Sequence, residues 1–203
     1  MQKPTVAVLF ARADSLYKKL PGTDVWDEER NATKWPGGAP IVAHPPCRLW
    51  GRLRHRARAS NPQDERMLAI QAVNMIRIYG GVLEHPENST LWPELGLPEP
   101  GHKPDEYDGY TLQIKQQDFG HRAEKPTRLY IVGCPEEFLP VLPPASTEPA
   151  THVINTSFRK GHPKWRPECT KAEREATPAA LAEWLLETAR RCWAYKSRGG
   201  AAS

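Results

Sequence analysis

Three side chains suited to chemistry, a thiol, a carboxyl and a cation, stand at the ends of apolar runs. Pro40-Ile41-Val42-Ala43-His44-Pro45-Pro46-Cys47 reads as a short strand stopped by a rigid Pro-Pro turn that delivers Cys47. Arg48, Arg52, Arg54, His55, Arg56 and Arg58 follow at once, a cationic run suited to a polyanion. Positive charge beside a thiol is expected to lower its pKa and make it nucleophilic. A second apolar run ends on Glu84-His85-Pro86, a third on Asp27, and Lys125 and Arg128 flank the start of a fourth. A thiol, a carboxyl and a cation in one cleft would suit attack on an electron-poor ring. The carboxyl protonates or hydrogen-bonds a ring nitrogen while the thiolate adds to the neighbouring carbon. His44 and His85 are expected to hydrogen-bond backbone in their tight turns. Their spacing with Cys47 matches no zinc signature, so no metal site is expected. The Pro-Cys-x-x-Cys pair of zinc-dependent base deaminases is absent.

The elements that must position these groups alternate between strand and helix. Thr5–Phe10 is a continuous apolar run of the buried parallel-strand type. A helix over Leu16–Leu20 follows, capped by Asp14 or Ser15. Thr23–Asp27 is a second strand, Glu28–Trp35 a brief helix, and the Cys47 strand comes third. Pro62-Gln63-Asp64 opens the clearest helix, with Leu68, Ala72, Met75, Ile76 and Tyr79 at helical spacing and Gly80-Gly81 as its stop. Val82–Asn88 is a strand running into an acidic loop, and residues 89–110 read as loop. Tyr110–Gln116 and Arg128–Gly133 pair as a hairpin. Residues 135–168 form an irregular Pro-rich insertion, and a last helix starts at Thr177-Pro178, with Thr177 as cap. Residues 198–203 are expected to fray. The expected fold is α/β, one domain over residues 1–203 with a mostly parallel Rossmann-like sheet and an antiparallel edge hairpin. In such a sheet the strand ends carrying Asp27, Cys47 and Glu84 converge on one rim.

Composition sets wider bounds. The 203 residues suffice for one substantial core, and the net charge of +4 is too mild to establish nucleic-acid binding by itself. The four cysteines contain no Cys-x-x-Cys pair, which suits a reducing cytoplasm rather than a disulfide framework. No apolar run approaches the roughly 18 residues of a membrane span.

These pieces, in this order, resemble the cytosine-5 DNA methyltransferases and their small phage-type relatives. Pro45-Pro46-Cys47 is similar to the family's Pro-Pro-Cys nucleophile motif, and Leu83-Glu84-His85-Pro86 to its Glu-Asn-Val strand end. The resemblance implies that Cys47 adds to carbon 6 of the pyrimidine while Glu84 holds nitrogen 3. Asp118-Phe119-Gly120 through Arg128-Leu129-Tyr130-Ile131-Val132-Gly133 is similar to the arginine-bearing hairpin. Arg128 matches its second arginine and Lys125 approximates the first after a one-residue shift, so Lys125 or Arg128 would position the base. Phe10, Arg12, Asp14 and Ser15 occupy the cofactor-loop positions, and Asp27 and Glu29 resemble the acidic pair whose first member holds the cofactor ribose. Thr177–Ala182 resembles the closing helix. The implied donor is S-adenosylmethionine and the implied partner is DNA, through Arg48, Arg52, Arg54, Arg56 and Arg58, or a free pyrimidine nucleotide.

Three departures stand in the sequence. The family's glycine-rich cofactor loop is replaced by Arg12, Asp14 and Ser15. Little room exists between Asp27 and the Cys47 strand for the strand the family places there. The segment after Gly133 is too short for a full target-recognition domain. Two other readings therefore stand beside the methyltransferase: an inactive nucleic-acid-binding protein on the same fold, and transfer of a non-methyl group from a donor whose negative charge Arg12 recognises.

Overall fold

A computed structural model describes residues 3–51, 54–57, 60–156 and 158–199. Six strands form one sheet: β1 (Val6–Leu9), β2 (Thr23–Trp26), β3 (Ile41–Ala43), β4 (Gly81–Pro86), β5 (Tyr110–Lys115) and β6 (Pro126–Val132). Their spatial order is β2-β1-β3-β4-β6-β5. The first four run parallel, and β6 lies antiparallel between β4 and β5. The sheet is thus α/β, Rossmann-like and mostly parallel with an antiparallel edge pair, as the sequence pattern requires. No strand intervenes between β2 and β3, in line with the short connection.

The apolar runs become strands because helices cover both faces of the sheet. Helix α1 (Pro62–Tyr79) buries Ala69, Ala72, Val73 and Ile76 against Leu9, Ile41, Leu83 and Tyr130. Helix α4 (Ala179–Ser197) packs Leu181, Leu185, Ala189 and Cys192 over Val8, Val42, Val82, Leu129 and Ile131 on the other face. The two opposite sets of strand residues alternate along each strand, as a pleated sheet demands. Cys134 and Cys192 meet in the α4 layer with their sulfurs 3.1 Å apart.

Local details differ from the sequence pattern in four places. Leu16–Lys19 and Ala32–Lys34 are single 3₁₀ turns, not α-helices, with Ser15 and Asn31 as caps. The buried stripe of α1 is rotated, leaving Leu68 and Met75 half-buried at its margin. Pro178, not Thr177, precedes α4 and gives it no side-chain cap. Two segments without a clear pattern hold short helices, α2 (Leu91–Glu94) and α3 (Lys171–Glu175). In α3 the Thr170 hydroxyl accepts from Glu173 N–H and the Glu173 carboxylate accepts from Thr170 N–H, a reciprocal capping box. Among the described residues no helix is long and apolar enough to cross a membrane. Arg52, Arg58 and Gly200–Ser203 lie outside the described residues.

Candidate active site

The chain turns outward from β1 to β2 on one side and to β3 on the other. A crevice is therefore expected at the carboxyl ends of β1 and β3. His44 opens it: its backbone N–H donates to Leu9 O at 3.0 Å, tying the end of β3 to β1. Cys47 follows in a turn closed by Trp50 N–H and Gly51 N–H, both donating to Cys47 O at 3.0 Å. Trp50 anchors this turn. Its ring is fully buried, the Arg66 guanidinium lies 3.8 Å over it, and Thr90 N–H donates to its carbonyl. Cys47 itself is solvent-exposed. The expected low thiol pKa is not found. Crowding by protein atoms and the charge of Glu84 push the thiol up to about 11, against a smaller opposing effect of Lys125. The arginine beside it does not help, because Arg48 is engaged in a fork with Glu65 (Nε–Oε1 2.6 Å).

Glu84, on β4, is held from two sides. His44 Nδ1 lies 3.2 Å from its Oε2, and Gln116 Nε2 donates to its Oε1 at 2.9 Å. His44 Nε2 lies 3.1 Å from the hydroxyl of Tyr17, a fully buried side chain. Burial raises the Glu84 pKa, but the His44 hydrogen bond and the Lys125 charge outweigh it and hold the carboxyl down at about 2. Glu84 is therefore ionised at neutral pH. His44 does not serve a backbone turn as expected; its ring links Tyr17 to Glu84. His85, on the opposite face of β4, is fully buried edge-on to Trp92, and neither ring nitrogen has a partner among the described residues. Burial depresses its pKa to about 4.

Of the two cations, Lys125 faces the site. It adopts φ 43°, its ammonium donates to Ala176 O at 2.9 Å, and its charge acts on both Glu84 and Cys47. Arg128 does not. It sits opposite His85 in the β4–β6 ladder, and thus on the other face of the sheet from Glu84. There it pairs with Glu99 at 2.8 Å and lies over Trp92.

The cofactor-loop positions are occupied by internal contacts. Phe10 takes φ 58° at the end of β1. Arg12 forks onto Asp14 (2.8 and 2.9 Å) and also pairs with Glu175 of α3. Ser15 caps the 3₁₀ turn. Asp27 is only 2% exposed, bonded to Lys18 Nζ at 2.6 Å and accepting from Arg30 N–H, and the Lys18 bond lowers its pKa. It lies two strands from β3, roughly 10 Å across the sheet. Glu29 is exposed. Arg54 and Arg56 lie in a 3₁₀ turn beyond Cys47, with Arg54 exposed.

Tyr17, Gln116 and Thr127 complete the site and had no sequence signal, since each reads locally as an ordinary helix, loop or strand residue. A cavity of about 640 Å³ lies elsewhere, between β5 and residues 145–149, and includes neither Cys47 nor Glu84. Among the described residues no cluster of three or more His, Cys, Asp or Glu could hold a metal ion. No family model, curated protein or solved structure matches the chain.

Proposed function

We propose that the protein modifies a pyrimidine base, in DNA or as a nucleotide: Cys47 adds to carbon 6, carbon 5 takes a group from an electrophilic donor whose leaving group departs with the bonding pair, and loss of the carbon-5 proton to solvent re-forms the double bond and expels the thiolate. One observation carries this reading: the β3–β4 pairing and the His44–Glu84 contact set Glu84 beside the Cys47 turn, where its carboxylate and the Lys125 ammonium both bear on the Cys47 thiol. Addition of sulfur to carbon 6 drives charge onto the ring and its oxygens, which Lys125 would neutralise while Glu84 holds the ring nitrogen edge. The antiparallel β5–β6 hairpin after the parallel strands supports the resemblance to small cytosine-5 methyltransferases, while the missing strand between β2 and β3 departs from it.

S-adenosylmethionine does not fit the residues at the implied cofactor end. Asp27 is buried and satisfied by Lys18, so it offers no free acceptor to a ribose, and Arg12 is committed to Asp14 and Glu175. The proposed reaction is therefore defined by the Cys47 adduct, and its donor is an electrophile of another class. A donor anion reaching Arg12 would have to displace Glu175. We place this chemistry in the cytoplasm, where thiols stay reduced and nucleotides are present.

The test is nucleoside mass spectrometry of DNA and nucleotide pools from cells expressing the wild type or Cys47→Ala. A Cys47-dependent mass on a pyrimidine is expected, and its size names the group. An unmodified spectrum from folded protein offered both DNA and free nucleotide defeats the reading. The closed cofactor end favours one alternative, a nucleic-acid-binding protein without catalysis. That protein would bind oligonucleotides equally well with Cys47→Ala and modify nothing.

A further inference from the structure

We propose that the loop of residues 158–166 is a contact surface for single-stranded DNA, outside the Cys47 site and tethered to its rim. The choice of DNA rests on the pyrimidine reading above; the surface itself stands on charge and ring geometry. Between Asn155 and Pro167 the chain has no Asp or Glu, and it interleaves Arg159, Lys160, Lys164 and Arg166 with Phe158, His162 and Trp165. Arg159, Lys160 and Lys164 are exposed, and Arg166 is half-buried. Among the described residues none of these cations pairs with a carboxylate, whereas Arg12, Arg48, Arg66, Arg122 and Arg128 all do. Unmatched cations at this density suit a phosphate backbone.

The rings supply what unpaired bases need. Phe158 is 40% exposed and stacks on His162, with ring centroids 4.5 Å apart and planes 15° from parallel. The backbone holds this pair in place: His162 N–H donates to Arg159 O at 3.1 Å, Trp165 N–H to His162 O at 2.8 Å, and Lys164 N–H to His162 Nδ1 at 3.1 Å. A base can therefore stack on an exposed, preformed ring surface at little ordering cost. Duplex bases are already stacked on one another, so the surface selects a single strand. The loop is also anchored beside the crevice. Val153 and Glu168 bridge its stem, with Val153 N–H donating to Pro167 O and Cys169 N–H to Val153 O, each at 2.9 Å. His152 N–H reaches Arg122 O, and Arg174 of α3 reaches Ile154 O. Helix α3 in turn pairs with Arg12 through Glu175, and Lys125 donates to Ala176 O just beyond it. Glu173 and Glu175 of α3 are answered by Arg122 and Arg12, so they do not oppose a passing phosphate. A strand lying on the loop is thus held next to the rim that carries Cys47 and Glu84, an advantage that a free nucleotide cannot use.

The test is fluorescence anisotropy of labelled oligonucleotides of about 12 nucleotides, as single-stranded DNA, duplex DNA and RNA, across a salt series. The full chain is used with Cys47→Ala in place, so that no covalent adduct contributes and the outcome is independent of catalysis. Single DNA strands of different sequence are expected to bind alike, and duplex of the same length roughly 10-fold or more weakly. Replacing Arg159, Lys160 and Lys164 together by Ala should lower the slope of log K against log salt by about 2, at about 0.7 per phosphate contact. Phe158→Ala should weaken binding roughly 5-fold or more with the slope unchanged, and Phe158→Tyr should keep it. All are surface positions, and an unchanged urea midpoint verifies that each variant is folded. Binding and slope unmoved by the triple variant, or full affinity in Phe158→Ala, overturns the inference. Duplex bound as tightly as single strand, or RNA bound more tightly than DNA, does the same. Loop-dependent binding of single-stranded DNA by a protein whose wild type modifies no base supports the surface and defeats only the pyrimidine reading.

Discussion

At the scale of single residues, the thiol of Cys47 is open to solvent yet held near 11, so almost all of it is protonated at neutral pH. Its reactivity then follows the charges around it. Iodoacetamide should label Cys47 before the three buried cysteines, at a rate that rises with pH toward about 11. Lys125→Ala removes the charge that lowers the thiol and should shift that profile upward; Glu84→Gln should shift it downward. A profile unmoved by both variants would separate Cys47 from the site. Glu84 and His85 set the acid limit. The carboxyl of Glu84 is depressed to about 2 from an ordinary 4.5, so its stabilisation is complete above pH 4.5 and lost between there and pH 2. His85 is depressed to about 4 from 6.5, so the unfolded chain takes a proton the folded one refuses, and stability falls from pH 6.5 to 4. Each shift corresponds to about 3 kcal/mol once fully expressed. His85→Leu should therefore keep stability at pH 7 and abolish the loss between pH 6.5 and 4, read by urea denaturation across that range.

At the scale of elements, the crevice depends on two joints. The first is the β3–β4 pairing, which brings Glu84 beside the Cys47 turn. Gly81 begins β4 at φ 137°, and a Cβ there would overlap the carbonyl oxygen of Ile41. Gly81→Ala should cost more than about 3 kcal/mol in chemical denaturation, because backbone, unlike a side-chain tip, cannot move aside. A smaller cost would show that β3 yields. The second joint is α3, strapped over the site by Arg12–Glu175, Arg122–Glu173 and Lys125 to Ala176 O. Thr170→Ala removes its cap at about 1 kcal/mol. Faster amide exchange is expected over residues 171–176 with α1 and α4 unchanged. Both joints are contacts distant in sequence. Gly80-Gly81 is visible as a helix stop, but that Gly81 must also admit Ile41 is not.

At the scale of the whole molecule, a net charge of +4 is spread thinly, and much of the positive charge near the site is matched. Arg48 is paired with Glu65, Arg66 with Glu94 and Arg128 with Glu99. Binding of single-stranded DNA should therefore be modest and salt-sensitive. If Arg54 touches a phosphate, Arg54→Ala should reduce the salt slope by about 0.7; an unchanged slope would remove it from the interface. The sequence by itself determined the alternation of strands and helices, because continuous apolar runs and helical spacing are local patterns that any burying fold must respect. It also placed Cys47 just past a strand stop, Glu84 near the close of an apolar run and Lys125 in the hairpin, since prolines and polar residues stop an apolar run wherever it lies. Tertiary structure alone decided the rest. Arg128 left the site because one residue along a strand changes faces. Tyr17, His44 and the β5–β6 hairpin that carries Gln116 and Thr127 gathered around Glu84 because segments far apart in the chain end on one rim. The ionisation of Cys47 and Glu84 was likewise not local. It depends on which charges and hydrogen-bond partners the fold brings within a few ångströms, and the nearest arginine in sequence had already found a carboxylate of its own.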